Sequence, residues 1–302
     1  MIAVVSHDAG GAEILSSWLR HNNQPHCLVL DGPAKKIFQN KLDDCEICSL
    51  DYAIELCDWV LCGTSWKSNL ERNAIVQAKI AAKKVVTFLD HWVNYLERFQ
   101  LNSVTVLPNE IWVGDTYAER IAQKLFPEIK IVLQPNPYFK DLKKDIEVFR
   151  KRPLNTQKCS VLYVCEPIRE HALLEYRNEH YWGYTEEDAL RFFLKNIGVL
   201  EYDVSEIKIR PHPSESQAKY EWAIYENSLV TEVASSKTLL EQILEADLVV
   251  GCDSMAMVVG LLANKRVISS IPKDGKACSL PQAEIEHLQN LVSKYQGNSN
   301  AG

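Results

Sequence analysis

The sequence has no long hydrophobic run and no excess of positive charge. No stretch approaches the ~18 apolar residues of a membrane-spanning helix, and no basic and apolar signal region precedes the first strand-like segment. The formal net charge of −7 argues against a nucleic-acid partner, because proteins that bind nucleic acid normally present a basic surface. We therefore expect a cytoplasmic protein. Peripheral attachment at the inner face of the membrane and the oligomeric state are left open.

Three short motifs are also missing, and each absence excludes a class of site. There is no G-x-G-x-x-G, so no nicotinamide or flavin site is predicted. There is no Asp-x-Asp pair to hold a metal ion beside a phosphate. Cys45 and Cys48 have C-x-x-C spacing, but no second pair follows, and most of the nine cysteines lie in apolar segments typical of reduced thiols. We assign Cys45 and Cys48 to a strand and expect neither a cofactor nor a metal ion.

What the sequence does contain is an alternation of apolar strand-like and amphipathic helix-like segments. Continuous apolar strands separated by helices are typical of a parallel sheet covered on both faces. We expect irregular structure over 169–184 and a last helix over 281–295. The predicted strands are Ile2–Ser6, Cys27–Leu30, Glu46–Leu50, Trp59–Cys62, Val85–Leu89, Glu110–Val113 and Lys130–Leu133 in the first half, then Ser160–Cys165, Ile207–Ile209, Leu229–Glu232, Leu248–Gly251 and Arg266–Ser269.

The predicted fold class is α/β, with two doubly wound Rossmann-like domains facing a cleft. A charged helical segment without a clear apolar face separates the two halves. We predict an N-terminal acceptor-side domain over 1–137, a linker over 138–155, a C-terminal nucleotide-binding domain over 156–296 and a disordered tail over 297–302. Ligands of such folds bind at the carboxyl ends of the strands. Polar residues that follow predicted strands are therefore candidate site residues.

The first candidate cluster follows the first strand. His7 and Asp8 are candidate catalytic bases that would deprotonate a hydroxyl group. Gly10 and Gly11 allow the backbone to pass close to a ligand. The alternative is that Asp8 only caps a loop and that His7 is a satisfied, partly buried histidine.

Two further clusters in the first half combine polar residues with tryptophan. The candidate substrate-binding residues are Thr64, Ser65, Asp90 and His91. Trp66 and Trp92 follow them, and a tryptophan in this position would stack on a sugar ring. Ordinary capping turns before a helix are the alternative.

The most distinctive stretch of the second half is Arg210-Pro211-His212-Pro213, at the end of a predicted strand. The prolines fix the backbone on both sides of the histidine, and Arg and His side chains donate well to phosphate oxygens. We predict that Arg210, His212 and Pro213 belong to a phosphate site. The alternative is a proline-rich turn with solvated side chains.

A second candidate in this half is Asp253-Ser254-Met255, which begins a helix. Ser254 is the predicted N-cap, and the backbone N–H groups beside it favour an anion. All three are candidate substrate-binding residues, although a helix cap with no further role is the alternative. Glu166, after the first strand of this half, is a candidate hydrogen-bond acceptor for a ribose or base.

Three features of the second half are a strand leading into Arg-Pro-His-Pro, the helix start at Asp253-Ser254 and the segment Leu-Leu-Ala-Asn-Lys-Arg-Val-Ile. Together they resemble the nucleotide-binding half of GT-B glycosyltransferases. The resemblance is to the bacterial capsule and lipopolysaccharide group, with sialyltransferases, Kdo transferases and CDP-glycerol polymer enzymes. It implies that His212, Pro213 and Ser254 bind the donor's cytidine phosphate and that the base comes from the N-terminal domain. The acidic-acidic-Gly base motif of the sialyltransferases is not present as such.

The expected function is an inverting, metal-independent glycosyltransferase of surface-polysaccharide synthesis. Its partners would be a nucleotide-sugar donor, with a CMP-sugar favoured, and a saccharide or glycolipid acceptor. Two other enzymatic alternatives stay open: a nucleotide-sugar 2-epimerase, which shares the twin-domain plan, and a transferase of a phosphate-linked group such as glycerol phosphate or phosphoribose. A binding module without turnover is the non-enzymatic alternative.

Overall fold

The computed structural model describes residues 1–43, 45–65, 68–149 and 159–299. The chain divides into two compact units, Met1–Asp141 and Leu142–Gly302. Each unit has a parallel sheet covered by helices, so the expected α/β class with two Rossmann-like units is confirmed. None of the helices within the described ranges combines the length and apolar character that a bilayer crossing needs. The finer domain and linker bounds stay a prediction.

The N-terminal unit begins with an apolar strand that is buried along its whole length. Its elements are β1 (Ile2–Ser6), α1 (Ala9–Asn22), β2 (His26–Leu30), α2 (Pro33–Lys41), α3 (Leu50–Leu56), β3 (Trp59–Cys62), α4 (Leu70–Ile80), β4 (Lys84–Leu89), β5 (Gln100–Leu101), β6 (Val104–Thr105), β7 (Glu110–Val113), α5 (Thr116–Leu125) and β8 (Lys130–Leu133). The parallel sheet has the order β2-β1-β3-β4-β7-β8. The carboxyl ends of β1, β3 and β4, which precede the three candidate clusters, are therefore neighbours.

The helix α6 (Pro137–Phe149) falls on the segment that the sequence assigns to the linker. It differs from the expectation in having a buried face, because Leu142 and Ile146 are spaced by one helical turn and are 8% and 2% exposed. Residues 150–155 of the predicted linker lie outside the described ranges.

The C-terminal unit repeats the alternation of strands and helices. Its elements are β9 (Cys159–Val164), α7 (Ile168–Tyr176), α8 (Glu186–Lys195), β10 (Val204–Arg210), α9 (Trp222–Glu226), β11 (Val230–Val233), α10 (Leu239–Glu245), β12 (Leu248–Gly251), α11 (Met255–Leu262), β13 (Arg266–Ser269), β14 (Ile285–His287) and α12 (Leu288–Ser299). The sheet order is β11-β10-β9-β12-β13-β14, with all pairs parallel. β9 thus lies at the point where the strand order reverses, where ligands of such sheets bind.

The predicted strand Glu46–Leu50 is wrong. Only an isolated bridge joins Leu28 to Ile47, so Cys45 and Cys48 are not strand residues. The cause is local: the hydroxyl of Ser49 accepts a hydrogen bond from the Tyr52 amide and begins α3. The extended segment therefore ends before it can form a ladder with β2.

Two predictions in the second half are also corrected. The region 169–184 is not irregular throughout, because α7 occupies Ile168–Tyr176 and ends at Arg177 in the left-handed conformation. The last helix does not begin near residue 281, since Ile285–His287 pairs with β13 as an edge strand. α12 then continues to Ser299, so residues 297–299 of the expected tail are helical, and 300–302 lie outside the described ranges.

Candidate functional site

A cavity of about 350 Å³ lies at the carboxyl ends of β9, β10 and β12 in the C-terminal unit. It contains five of the predicted site residues: Glu166, His212, Asp253, Ser254 and Met255. The remaining lining residues are Pro167, Ile168, His171, Trp182, Tyr184, Lys276 and Ala277. The structure therefore brings the His-Pro loop and the Ser254 helix start together around one cavity.

The His212 ring is held in a defined orientation by its own loop. Its backbone N–H donates to the Glu215 carboxylate at 2.8 Å, and the Ser214 backbone N–H donates to ring Nδ1 at 3.2 Å. Because Nδ1 accepts this bond, the neutral ring carries its proton on Nε2. Burial lowers the pKa of His212, which favours the neutral form. His212 therefore offers an Nε2–H donor to a ligand.

Glu215 connects this loop to the rest of the unit. Its buried carboxylate accepts hydrogen bonds from the Tyr220 hydroxyl at 2.8 Å and from the Lys219 ammonium at 2.7 Å. Lys219 also pairs with Glu170 and Glu186. These three carboxylates lie close enough together to share a metal ion, but here they converge on one ammonium group. The cluster anchors the His-Pro loop.

Ser254 caps α11 as predicted. Its hydroxyl accepts a hydrogen bond from the Ala256 backbone N–H at 3.2 Å. Ser254 and Met255 both line the cavity, so the positive end of the helix dipole is part of its wall. Such a helix start stabilises a bound anion.

Glu166 and Asp253 are the acidic residues of the cavity, and each has a different environment. Glu166 accepts a hydrogen bond from the Asp253 backbone N–H at 2.7 Å, and burial raises the pKa of Glu166 to about 8. A carboxyl group with this pKa is mostly protonated at neutral pH and can donate as well as accept a hydrogen bond. The Asp253 carboxylate accepts from the backbone N–H of Ser279 at 2.9 Å and from its hydroxyl at 2.7 Å.

Two predicted residues of the His-Pro stretch do not line the cavity. The Arg210 guanidinium donates to the Lys237 carbonyl at 2.9 Å and to the Gln242 side chain, so it supports the neighbouring loop instead. Pro213 is exposed beside the His212 ring. The predicted loop does reach the cavity, but the direction of the Arg210 side chain depends on Gln242, which is distant in sequence.

In the N-terminal unit, Asp8 is the centre of a hydrogen-bonded group. Its carboxylate Oδ1 lies 2.6 Å from His7 Nδ1 and accepts from the Ser65 hydroxyl at 2.8 Å. Asp8 is the N-cap residue of α1, yet its side chain makes no capping bond. A simple capping role therefore does not explain its position.

Glu71 completes this group and was not predicted. Its carboxylate accepts from the His7 backbone N–H at 2.6 Å, and burial raises the pKa of Glu71 to about 7, with the nearby Asp8 charge adding to the effect. No pattern in the sequence marks Glu71 as a site residue, because it lies in the first turn of α4, where an acidic residue is common. Its burial arises from the packing of α4 against β1.

Thr64 and Asp90 meet in a separate, more buried pair. The Asp90 carboxylate accepts from the Thr64 hydroxyl at 2.8 Å and from the Arg98 guanidinium at 2.7 Å. The Asp90 and Arg98 side chains are each 9% exposed, so the charge of Asp90 is matched inside the protein.

Gly10 and Gly11 lie where α1 approaches the loops that follow β4 and β3. A Cβ atom on Gly10 would come within 2.2 Å of Asp90 Oδ2, and one on Gly11 within 3.3 Å of Gly63 Cα. The two glycines therefore permit a close contact within the protein. Binding of a ligand by either residue stays a prediction.

The tryptophan that follows His91 is not a sugar platform. Trp92 is 6% exposed, and its indole N–H donates to the Asp115 carboxylate at 2.9 Å. His91 Nδ1 accepts a hydrogen bond from the Trp92 backbone N–H at 3.0 Å, so the side chains of this turn make contacts within the protein. Trp66 lies outside the described residues.

Comparisons with known proteins rest on structure alone. No family model and no curated protein matches the sequence. UDP-GlcNAc 2-epimerase of Methanocaldococcus jannaschii has a TM-score of 0.63 at 11% identity, over 98% of this chain and 91% of that chain. MnaA of S. aureus, in a co-structure with UDP, has a TM-score of 0.62 at 11% identity over 98% and 87%. HepE of Anabaena, in complex with UDP-glucose, has 0.53 at 12% identity over 98% and 89%.

The fold is GT-B-like. At identities this low the likeness shows the fold alone. It does not distinguish the sialyltransferase, Kdo-transferase and CDP-glycerol group from other GT-B-like proteins. Seven lining residues were not identified from the sequence, and four of them carry polar or aromatic side chains: His171, Trp182, Tyr184 and Lys276. The first three lie in a His-, Tyr- and Trp-rich stretch, and that composition was the available signal.

Proposed function

We propose that the chain is an enzyme acting on a nucleotide sugar, with the nucleotide bound in the cavity of the C-terminal unit. The observation that carries the proposal is the pairing of the oriented His212 ring with the capped start of α11 around one cavity. Both groups donate to phosphate oxygens, and they lie at the strand-order reversal where such ligands bind. The GT-B-like proteins similar to this fold include some bound to UDP or UDP-glucose, which supports a nucleotide ligand.

The first candidate reaction is sugar transfer by an inverting, metal-independent glycosyltransferase. His212 and the α11 start would stabilise the negative charge that grows on the leaving phosphate. Asp8, or His7 beside it, would accept the proton of the acceptor hydroxyl. Arg210 is not assigned to the phosphate, because its guanidinium is bound to Gln242. A CMP-sugar donor and a surface-polysaccharide or glycolipid acceptor are the finer form of this proposal, and the His212–Ser254 pairing supports only its phosphate.

The second candidate is a nucleotide-sugar 2-epimerase, which needs no acceptor. The likeness in fold to the UDP-GlcNAc 2-epimerase of M. jannaschii favours it. Transfer of glycerol phosphate or phosphoribose is a third possibility, since the same phosphate-binding groups would hold either donor. All three reactions use the same nucleotide or phosphate site.

A thermal-shift screen tests the site. The panel is CMP, CDP, UDP, GDP and phosphoribosyl pyrophosphate, and a ligand at 100 times its dissociation constant adds about 2.7 kcal/mol to the stability of the folded state. A shift with one or more of these compounds is expected. No shift with any of them at millimolar concentration contradicts the proposed site.

The reaction is then identified with the nucleotide sugar that the screen selects. Incubation with that compound alone, followed by NMR, gives a C2 epimer only if the protein is an epimerase. Release of nucleotide that depends on an added saccharide or glycolipid identifies a transferase. Tight binding without either product contradicts the glycosyltransferase and the epimerase.

A further inference from the structure

Lys276 is a cavity residue that the proposed function has not used. It lies on the loop between β13 and β14, and its side chain lines the same cavity as His212 and Ser254. Its Nζ atom lies 5.9 Å from the centre of the Trp182 ring. Among the residues that the structure describes, no carboxylate pairs with this ammonium group. A cation in the wall of a cavity is therefore available to a ligand.

Two residues hold the Lys276 loop in place through three hydrogen bonds. The Lys276 N–H donates to the Trp182 carbonyl at 2.8 Å. Three residues later, Ser279 donates twice to the Asp253 carboxylate. Asp253 directly precedes Ser254, so the same side of the cavity that carries the helix start also holds the Lys276 loop in place.

Two glycines allow this loop to pack against the segment that precedes α8. Gly183 has φ +82°, and a Cβ atom there would come within 2.3 Å of the Asp274 carbonyl oxygen. A Cβ atom on Gly275 would come within 2.6 Å of the Tyr184 ring. The contact therefore requires glycine on both sides. Lys276 is exposed, as Lys273 is, but the turn that presents it is tightly packed.

The charged and polar groups of the cavity would allow more than one phosphate group to bind. The Asp253 carboxylate is engaged by Ser279, and the Glu166 carboxyl group is held largely in its protonated form by burial. The groups that can bind phosphate are in two places: the neutral His212 ring, as an N–H donor, with the α11 start at the ends of β10 and β12, and the Lys276 ammonium on the loop after β13. A nucleoside monophosphate has one phosphate for these two places, whereas a nucleoside diphosphate has one for each.

We propose that Lys276 binds the second phosphate of the ligand, so that the cavity takes a nucleoside diphosphate in preference to a nucleoside monophosphate. This rests on the proposed function, because it refines the ligand of the same site. It favours a nucleoside-diphosphate sugar as the substrate over a CMP-sugar. Trp182, under the Lys276 ammonium, and Gly275, beside it, act as positioning residues.

The test is a titration by calorimetry of wild type, Lys276→Ala and Lys273→Ala with matched pairs of ligands: UDP with UMP, CDP with CMP and GDP with GMP. Lys273 is an exposed lysine of the same loop that does not line the cavity, so it is the matched control. We expect wild type to prefer the diphosphate. Lys276→Ala should weaken diphosphate binding by about tenfold and leave monophosphate binding nearly unchanged, while Lys273→Ala resembles wild type.

The results separate this inference from the proposed function. If Lys276→Ala binds both members of a pair as wild type does, or loses the same factor for both, the Lys276 assignment is wrong and the nucleotide site survives. If wild type binds none of the six nucleotides, both proposals are wrong. Lys276→Arg keeps the charge and should retain most of the preference, and equal unfolding midpoints of the free variants confirm that the fold is intact.

Discussion

The carboxyl edges of the two sheets carry similar side chains but use them differently. At the N-terminal edge, Asp90 is matched by Arg98 and Thr64, and all three are largely buried. At the C-terminal edge, His212 and Lys276 line a cavity of about 350 Å³. In both units the polar residues that follow the strands are candidate site residues by the same rule. At the N-terminal edge, however, most of these polar groups bind one another.

This difference separates structural from ligand-binding roles. A charge whose partner is already in place contributes to stability, and removing that partner leaves an uncompensated buried charge. A donor that lines a cavity is available for a ligand. Asp8 lies between these cases, because it contacts His7 and Ser65 and its side chain is still 27% exposed.

Asp8→Asn should reduce turnover of the identified nucleotide sugar by about 10²–10⁴-fold, the usual contribution of a general base. Nucleotide affinity should stay near normal, because Asp8 belongs to the other unit. Steady-state kinetics and calorimetry on the same preparation give both numbers. His7→Ala is the competing variant: if it abolishes turnover while Asp8→Asn remains active, the role of base moves to His7.

Arg98→Met should lower the free energy of unfolding by about 3–5 kcal/mol, since it leaves the Asp90 charge buried with only Thr64 as a donor. Urea denaturation of the whole chain measures the effect. Lys35→Ala, which removes an exposed partner of Asp31, is the control and should change stability little. A stable Arg98→Met protein with altered turnover would show that this pair has a functional role.

His212→Ala should weaken binding of the selected nucleotide by roughly 10–100-fold, the range for a hydrogen bond to a charged group. Arg210→Ala should have a smaller effect, because Arg210 supports the loop without lining the cavity. Calorimetric titration of both variants compares them directly. Unchanged affinity in both would contradict the phosphate site, and a larger loss in Arg210→Ala would restore Arg210 to it.

Glu166→Gln should remove a pH dependence of nucleotide affinity. In wild type the affinity should fall as the pH rises through about 8, the pKa of Glu166, because the ionised carboxylate repels phosphate. The stability of the folded state should change with pH in the same direction. Folding raises the pKa of Glu166 from 4.5 to about 8, so the contribution of Glu166 to stability is complete below pH 4.5 and is lost as the pH rises through about 8. Nucleotide titrations of wild type and Glu166→Gln across this pH range measure the effect. If the affinity of Glu166→Gln depends on pH as that of wild type does, Glu166 is not the group responsible.

Much of the fold could be predicted from the sequence, because buried parallel strands read as continuous apolar runs. Strands such as Leu248–Gly251 are found with the predicted bounds. Glu46–Leu50 failed since a local Ser49 cap outweighed a short apolar pattern. The edge strand Ile285–His287 failed because its strand character depends on β13, which lies beside it only after folding.

Candidate site residues could be predicted where the local backbone has a recognisable sequence signature. The His212 loop and the Ser254 cap have local signatures, in prolines and in a helix start. Glu71 and Lys276 have none. Arg210 shares the signature of the loop but binds Gln242, because the direction of a long side chain depends on residues far away in the sequence, as the burial of a carboxyl group does. Trp92 shows the same limit, since its partner Asp115 belongs to another helix start.

The strand order also constrains how the protein is made. In each six-stranded sheet the first strand to be synthesised is an interior strand: β9 is flanked by β10 and β12, and β12 follows both β10 and β11 along the chain. A nascent chain that has not yet reached β12 therefore leaves one edge of an apolar strand unpaired. Pairing between strands so distant in sequence is slow to form. The C-terminal unit can thus complete the pairing of β9 only after β12 has left the ribosome.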